Sequence, residues 1–353
     1  MENKTERESG IELLRIFAMC GIIGHHILFH GILNQYGIGL NGVLYQSGPR
    51  INKLFVSFLF PGGDVGNAVF FMVSGYFLFS RTQMSFRPFQ KILIQTHFHT
   101  FLLFCVSCIG IKTGTIVIEQ GGYTLYKWLI DYLIIPVTSG QWWFISAYVI
   151  LLLCGAFINA GLERIKYPVV SLCVGLLLLF ATKIDGSQFY GIYRALYFYC
   201  IGAMIRKEQI RLPNGPICLI GAISAWFICG VRWWIGQNRL ISPWQNIALE
   251  LLYTILATGC AMLLVGAFSS FHFTNTTINK LAGSTLAVYI LHDNFISRQI
   301  LWRGIFHIDK LYLNTLFPII TFGIIISVFI VCTLIDKLRE IIFCLFKKNR
   351  INI

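Results

Sequence analysis

Glu12, Arg15, His25, His26 and His30 all fall within one apolar run, Arg7 to His30, which reads RESGIELLRIFAMCGIIGHHILFH. Charged or titratable side chains are costly in a segment long enough to cross a bilayer, so they mark a candidate functional site. Arg15 and His26 are eleven positions apart. At about 100° per residue that spacing is three helical turns with roughly 20° left over, so both side chains leave a helix on one face. Glu12 and His30 each lie within about 60° of that face, which gives a single polar stripe on an apolar background. The stripe measures about 16 Å from Arg15 to His26. Taken singly, a His in an apolar helix is a buried, hydrogen-bonded residue, and an Arg near a helix start snorkels to the head groups. Four polar groups on one face need an aqueous or protein-lined cavity to look into. An imidazole there can take up or give a proton, and a guanidinium suits a phosphate or a developing negative charge.

A second group lies near the other end of the chain. The run LAGSTLAVYILHDNFISRQILWRGIF carries His292, Asp293, Asn294 and Arg298. From Lys280 to His292 a helix climbs about 18 Å, and from Ile11 to His26 about 22 Å, so the two histidines reach comparable depths from the same side. That coincidence predicts a site assembled from distant segments. His25, Asn67, Ser74, Gln141, Trp143, His292, Asp293 and Arg298 are the candidate substrate-binding residues. Trp143, in the QWWF run, can stack on the apolar face of a sugar or belong to an interfacial aromatic belt. Ser74 next to Gly75 also reads as a small packing residue. Arg194 sits near the end of its run, where snorkelling is expected. His97 and His99 point about 160° apart on a helix, so they cannot share a metal on one face. No metal site is expected. The CxxC at Cys105 and Cys108 lies on an apolar run with no second pair. The chain has no glycine-rich phosphate loop, no HExxH, no serine-hydrolase elbow and no internal repeat, so hydrolase and ATP-driven pump readings lack a basis.

The elements that must carry these residues follow from composition. Of 353 residues, 56% are hydrophobic and only 12% charged, with a mean hydropathy of +0.70, which excludes an ordinary soluble domain. Ten apolar runs of spanning length are readable, at roughly 11–30, 59–80, 92–111, 142–161, 167–183, 189–205, 216–235, 247–268, 280–298 and 313–335. The sequence therefore predicts an all-α, polytopic transmembrane bundle, a single integral membrane domain over 1–353. Short tails are expected at 1–10 and 337–353. The first run follows a charged start, is long for a signal-peptide core and shows no cleavage site, so it reads as a retained helix. Lys and Arg are in excess on the loops that share a side with the N-terminus, which predicts both termini in the cytoplasm. The net charge of +13 then reads as topology and contact with anionic lipid, not nucleic-acid binding.

Four stretches resemble a known family. IELLRIFAMCGIIGHH fits an acidic-x-Leu-Arg start followed by ten residues and a His; GNAVFFMVSGYFLF, QWWFISAYVILLL and LAVYILHDNFISR follow in order. Together they resemble the acyltransferase-three family of multi-pass membrane acyltransferases, which move acetyl and other short acyl groups onto sugars of bacterial surface polysaccharides. In the second stretch such proteins frequently carry Asp two residues before the FF pair, where this chain has Ala68. The resemblance puts the family's Arg and His on Arg15 and His26 and its acidic position on Glu12, and these three are the expected catalytic residues. It implies an O-acyltransferase in the inner cell membrane of a bacterium. Its expected donor is acetyl-CoA or another acyl-CoA, used as substrate with no bound cofactor. Its expected acceptor is a polysaccharide or lipid-linked glycan. His26 is then a general base or an acyl relay, two roles that the sequence leaves open. The rival from another class is a transporter or flippase of a glycan or small anion, in which intramembrane Arg and His are substrate or proton sites.

Overall fold

The structure is a computed structural model describing residues 8–33, 43–80, 86–118, 124–138, 140–238 and 242–351. Among these residues it is built of helices and contains no strand. Seven helical stretches are long and apolar enough to cross a membrane: Ser9–Leu33, Arg50–Leu78, Phe86–Lys112, Gly140–Glu163, Gly215–Gln237, Pro243–Ser269 and Phe317–Leu345. Of the three remaining apolar runs, two form the 17-residue helices Pro168–Ile184 and Tyr190–Arg206. The third is broken into pieces.

The central helix is α1 (Ser9–Leu28), which continues into a π turn over Phe29–Leu33. Beside it lie α2 (Arg50–Leu59) and α3 (Gly62–Leu78), separated by a break at Phe60 and Pro61. The stretch between the apolar runs at 11–30 and 59–80 is largely helical, with helix at 43–47 and 50–59; residues 34–42 lie outside the described residues. Glycines let α3 press closely on two neighbours. A Cβ on Gly62 would meet the Gly21 carbonyl of α1 at 2.8 Å. On the other flank, a Cβ on Gly75 would strike the carbonyl of Tyr199, and one on Gly202 the carbonyl of Met72. Tyr199 and Gly202 belong to the later helix Tyr190–Arg206. Backbone contact of this kind is how helices associate in lipid, where burying apolar side chains gains little.

The chain continues through α4 (Phe86–Lys112), α5 (Trp143–Glu163), α6 (Pro168–Ile184), α7 (Tyr190–Arg206), α8 (Gly215–Asn238) and α9 (Pro243–Ser269). Helix α9 starts with a capping box: the Ser242 hydroxyl accepts from the Gln245 N–H, and Gln245 Oε1 accepts from the Ser242 N–H. Pro243 at its first turn needs no hydrogen-bond partner.

The apolar run at 280–298, expected as one helix, is discontinuous. It forms α10 (Thr276–Ala282), α11 (Thr285–His292), a single turn at Phe295–Ser297 and a π helix over Arg298–Ile305. Gly283 and Ser284 separate the first two pieces, and Asp293 and Asn294 end the second. Short polar side chains that bond their own backbone compete with helix propagation, and Asn294 does so. The final helix, α12 (Phe317–Ile351), runs on through the segment read as a tail. Ser9 ties the first helix to the discontinuous segment, donating to Asn279 Oδ1 at 2.9 Å and accepting from the Asn275 N–H at 2.7 Å.

Candidate functional site

The polar stripe of α1 faces the discontinuous segment along its whole length. At one end, Arg15 Nη1 donates to Glu12 Oε2 at 2.8 Å and Nη2 donates to the Thr285 hydroxyl at 3.1 Å. Thr285 is the first residue of α11. At the other end, His26 Nδ1 lies 2.9 Å from His292 Nε2, and His292 is the last residue of the same helix. The short helix α11 therefore links the guanidinium to the imidazole, one at each of its ends.

Asp293, immediately past α11, organises the histidine end. Its Oδ2 lies 3.3 Å from His26 Nε2, and its Oδ1 lies 3.5 Å from His30 Nε2. Arg298 donates to Oδ1 twice, from Nε at 3.1 Å and Nη2 at 2.7 Å. Asp293 is 4% exposed, and His292 is sealed. A buried carboxylate is retained only with charged or hydrogen-bonding partners around it, and here it has three side chains. Two π segments each deliver one of them: His30 sits in Phe29–Leu33 and Arg298 opens Arg298–Ile305. Wide turns of this type recur where a helix must re-aim a side chain at a site.

Hydrogen-bond inventory fixes what His26 can do. His292 Nδ1 lies 2.6 Å from the carbonyl of Val288, which can only accept, so Nδ1 carries the proton. In a neutral His292 the other nitrogen, Nε2, then accepts, and His26 Nδ1 donates to it. His26 Nε2 is left facing Asp293. A proton taken at Nε2 makes an imidazolium whose two N–H groups each meet an acceptor, His292 Nε2 and Asp293 Oδ2. This is the layout of an oriented base, with one nitrogen held and the other working.

The turn that presents Asp293 has its own supports. Asn294 Nδ2 donates to the Ile290 carbonyl at 2.9 Å and to Ser297 Oγ at 2.8 Å, while its Oδ1 accepts from Ser297 N at 2.9 Å and from Tyr132 Oη at 3.0 Å. One buried amide thus closes the end of α11 and caps the next turn. Gln141 joins in: its Oε1 accepts from the Phe295 N–H at 2.7 Å, and its Nε2 donates to Asp131 at 2.9 Å. Trp142 Nε1 reaches the Ile290 carbonyl at 3.3 Å.

Of the residues singled out from sequence, the structure brings His26, His292, Asp293 and Arg298 together, with Gln141 behind them. Arg15 and Glu12 form a pair at the far end of α11. His25 turns away from Asp293, its Nδ1 donating to the Phe60 carbonyl at 2.9 Å and its ring lying against Phe29. Ser74 Oγ donates to the Phe70 carbonyl of its own helix at 2.7 Å. Asn67, half-buried on α3, makes no hydrogen bond to any of these groups among the described residues. Trp143 stands beside Arg194, whose guanidinium carbon is 6.0 Å from its ring. The sequence reading named Asn294 without giving it a role and passed over Tyr132. An Asn directly after a helical run was a readable capping signal; nothing local marked Tyr132, which meets Asn294 across 162 positions. Arg194 departs from expectation: it does not snorkel but is 7% exposed and paired with Asp64 at 2.8 Å.

One nitrogen from each of His26 and His30 and one oxygen of Asp293 lie within 4.8 Å of one another, close enough to hold a metal ion. Arg298 places a guanidinium on the same carboxylate, and a cation beside a ligand carboxylate opposes a second cation there. Residues 8–337 match the family model described as an acyltransferase domain, that of the acyltransferase-3 family. None of the curated proteins and none of the solved structures compared with the chain matches it.

Proposed function

The chain belongs to the acyltransferase-3 family and is a membrane acyltransferase, and from that premise we propose that it moves an acyl group, acetyl by expectation, from acyl-CoA to a hydroxyl of a surface or exported polysaccharide. The observation that carries this reading is the position of His26 between His292 and Asp293. In the proposed step the acceptor hydroxyl gives its proton to His26 Nε2 while its oxygen attacks the thioester carbonyl. The C–S bond breaks, an ester forms, and the leaving thiolate takes the proton back from His26 as a free thiol. Asp293 balances the imidazolium in between. This geometry favours a general base over an acyl relay, because an acyl group on Nε2 would displace the Asp293 contact and Nδ1 is engaged by His292. Arg15, with Glu12 fixing it and Thr285 beside it, is the proposed contact for a donor phosphate.

The expected orientation, with the N-terminus in the cytoplasm, fits the same reading. Acyl-CoA is cytoplasmic and the glycan is displayed outside, so the Arg15 end would face the donor and the His26 end the acceptor. The inner cell membrane is the membrane this implies. The discontinuous segment at 276–305 also suits a transporter, in which broken helices form substrate sites. One assay separates the two. Purified full-length protein is given labelled acetyl-CoA with and without glycan, beside a His26→Ala variant whose folding is checked by its elution and thermal unfolding. Label on the glycan that disappears in the variant is the expected result; no donor turnover by the wild type, or undiminished transfer by the variant, overturns the proposal.

A further inference from the structure

A second charged group sits beside the histidine corner, where five helices meet. Asp64 belongs to the first turn of α3, Lys183 to the end of α6, Arg194 to α7, Arg232 to α8, and Glu250 and Tyr253 to α9. Arg194 Nη2 bonds Asp64 Oδ1 at 2.8 Å and the Asp64 carbonyl at 3.0 Å, and Tyr253 Oη donates to Asp64 Oδ2 at 3.0 Å. Lys183 Nζ donates to Glu250 Oε2 at 3.0 Å, and Arg232 pairs with the other oxygen of Glu250. Next to Asp64, Gly63 lies against the ring of His25, whose chain neighbour is His26.

Two properties set this group apart from a purely structural ion-pair lock. Three cations face two carboxylates, and two of the cations, Lys183 and Arg232, crowd the same ring, 5.1 and 5.4 Å from the Tyr253 centroid. Gathering unbalanced positive charge in a partly buried place is costly unless an anion joins it. Arg194, moreover, spends both of its hydrogen bonds through Nη2; its Nε and Nη1 donate to no described residue. The group is not sealed, since the side chains of Asp64, Lys183 and Glu250 are each about a quarter exposed. Trp143 and Tyr190 flank Arg194 at 6.0 and 5.8 Å, supplying flat apolar faces of the kind a sugar ring covers.

We propose that this partly exposed cluster of Asp64, Lys183, Arg194, Arg232, Glu250 and Tyr253 binds an anionic group of the acceptor, a carboxylate or a phosphate, and so selects acidic glycans. The inference rests on the acyl-transfer reading above and adds the acceptor's chemical class to it. Arg194 is the central ligand, offering its unspent donors, with Lys183 at the rim.

The test uses the full-length protein in lipid nanodiscs, labelled acetyl-CoA and two matched acceptor pairs. The first pair is a uronic-acid oligosaccharide and the same oligosaccharide with its carboxyls reduced to alcohols. The second is a phosphorylated oligosaccharide and its dephosphorylated form. The expected result is a lower KM for the acidic member of one pair, and that pair names the group. A charge-assisted hydrogen bond removed by Lys183→Gln should shrink the acidic-to-neutral preference by about tenfold, with Arg194→Gln doing at least as much and Arg194→Lys retaining part of it. A lock without ligand contact would lower thermal stability and raise the KM of charged and neutral acceptors alike, which overturns the proposal. Equal KM within each pair for the wild type overturns it too while leaving acyl transfer standing. Absence of donor turnover with every acceptor removes the acyl-transfer reading itself.

Discussion

Asp293 is the residue on which the histidine corner turns, because its two oxygens serve different partners. Oδ1 is bound by Arg298 and approached by His30, and Oδ2 is turned to His26. Replacing it by Asn keeps the shape and removes the charge that balances a protonated His26. Asp293→Asn should lower kcat by about 10²-fold or more, the usual scale of general-base assistance, with little change in donor KM. Steady-state kinetics with labelled acetyl-CoA check this, and a kcat within threefold of wild type would contradict the role given to the carboxylate. Arg15→Gln should act on the other parameter. Loss of one charge-assisted contact to a phosphate predicts a donor KM raised by about tenfold or more at a smaller cost in kcat. The same rate measurements, run across donor concentrations, decide it.

At the scale of elements, the eight residues of α11 do the positioning. The helix holds Thr285 against Arg15 and His292 against His26, and Asn294 closes its end. Asn294→Ala leaves buried carbonyl and amide groups without partners, so it should cost about 1–3 kcal/mol and lower the thermal midpoint in detergent. Gly75→Leu should be worse. Its side chain has to enter the α3 and α7 contact, where even a Cβ collides with the Tyr199 carbonyl, and overpacking typically costs about 1–3 kcal/mol or more. Reduced yield of folded protein, read by monodisperse elution, is the measure.

These elements also show what a one-dimensional reading captures. The Arg15 and His26 face was legible because a helix imposes its angular period on any sequence, and the His292 level followed from counting rise per residue. The break in the 280–298 run was not read, because its residues are apolar enough for a continuous span. Only the competition between Asn294 and the backbone, visible once its five bonds are drawn, ends the helix there. Arg194 was misjudged for a related reason. Snorkelling is decided by whether a carboxylate lies within reach, and Asp64 is 130 positions away in sequence.

For the molecule as a whole, the stripe on α1 gives it two ends of different character, a Glu12 and Arg15 end and a histidine end. In proteoliposomes of known orientation, acyl-CoA supplied to the side that the Arg15 end faces should support transfer, and acyl-CoA supplied only to the other side should not. Equal rates from both sides would remove the proposed division between donor and acceptor ends.

The same stripe bears on how the chain is made. Helix α1 leaves the ribosome before residues 285–293, which lie more than 250 positions later and meet Arg15 Nη2, His26 and His30; Arg15 Nη1 has its partner, Glu12, within the helix. Ionisable and polar side chains inside a span raise the cost of inserting it, so the first helix is a weak guest of the bilayer until its late-born partner arrives. A nascent polypeptide ending before residue 270, with Cys20 kept as its one cysteine, should therefore leave α1 open to a membrane-impermeant thiol reagent, whereas a polypeptide that includes residues 285–293 shields it.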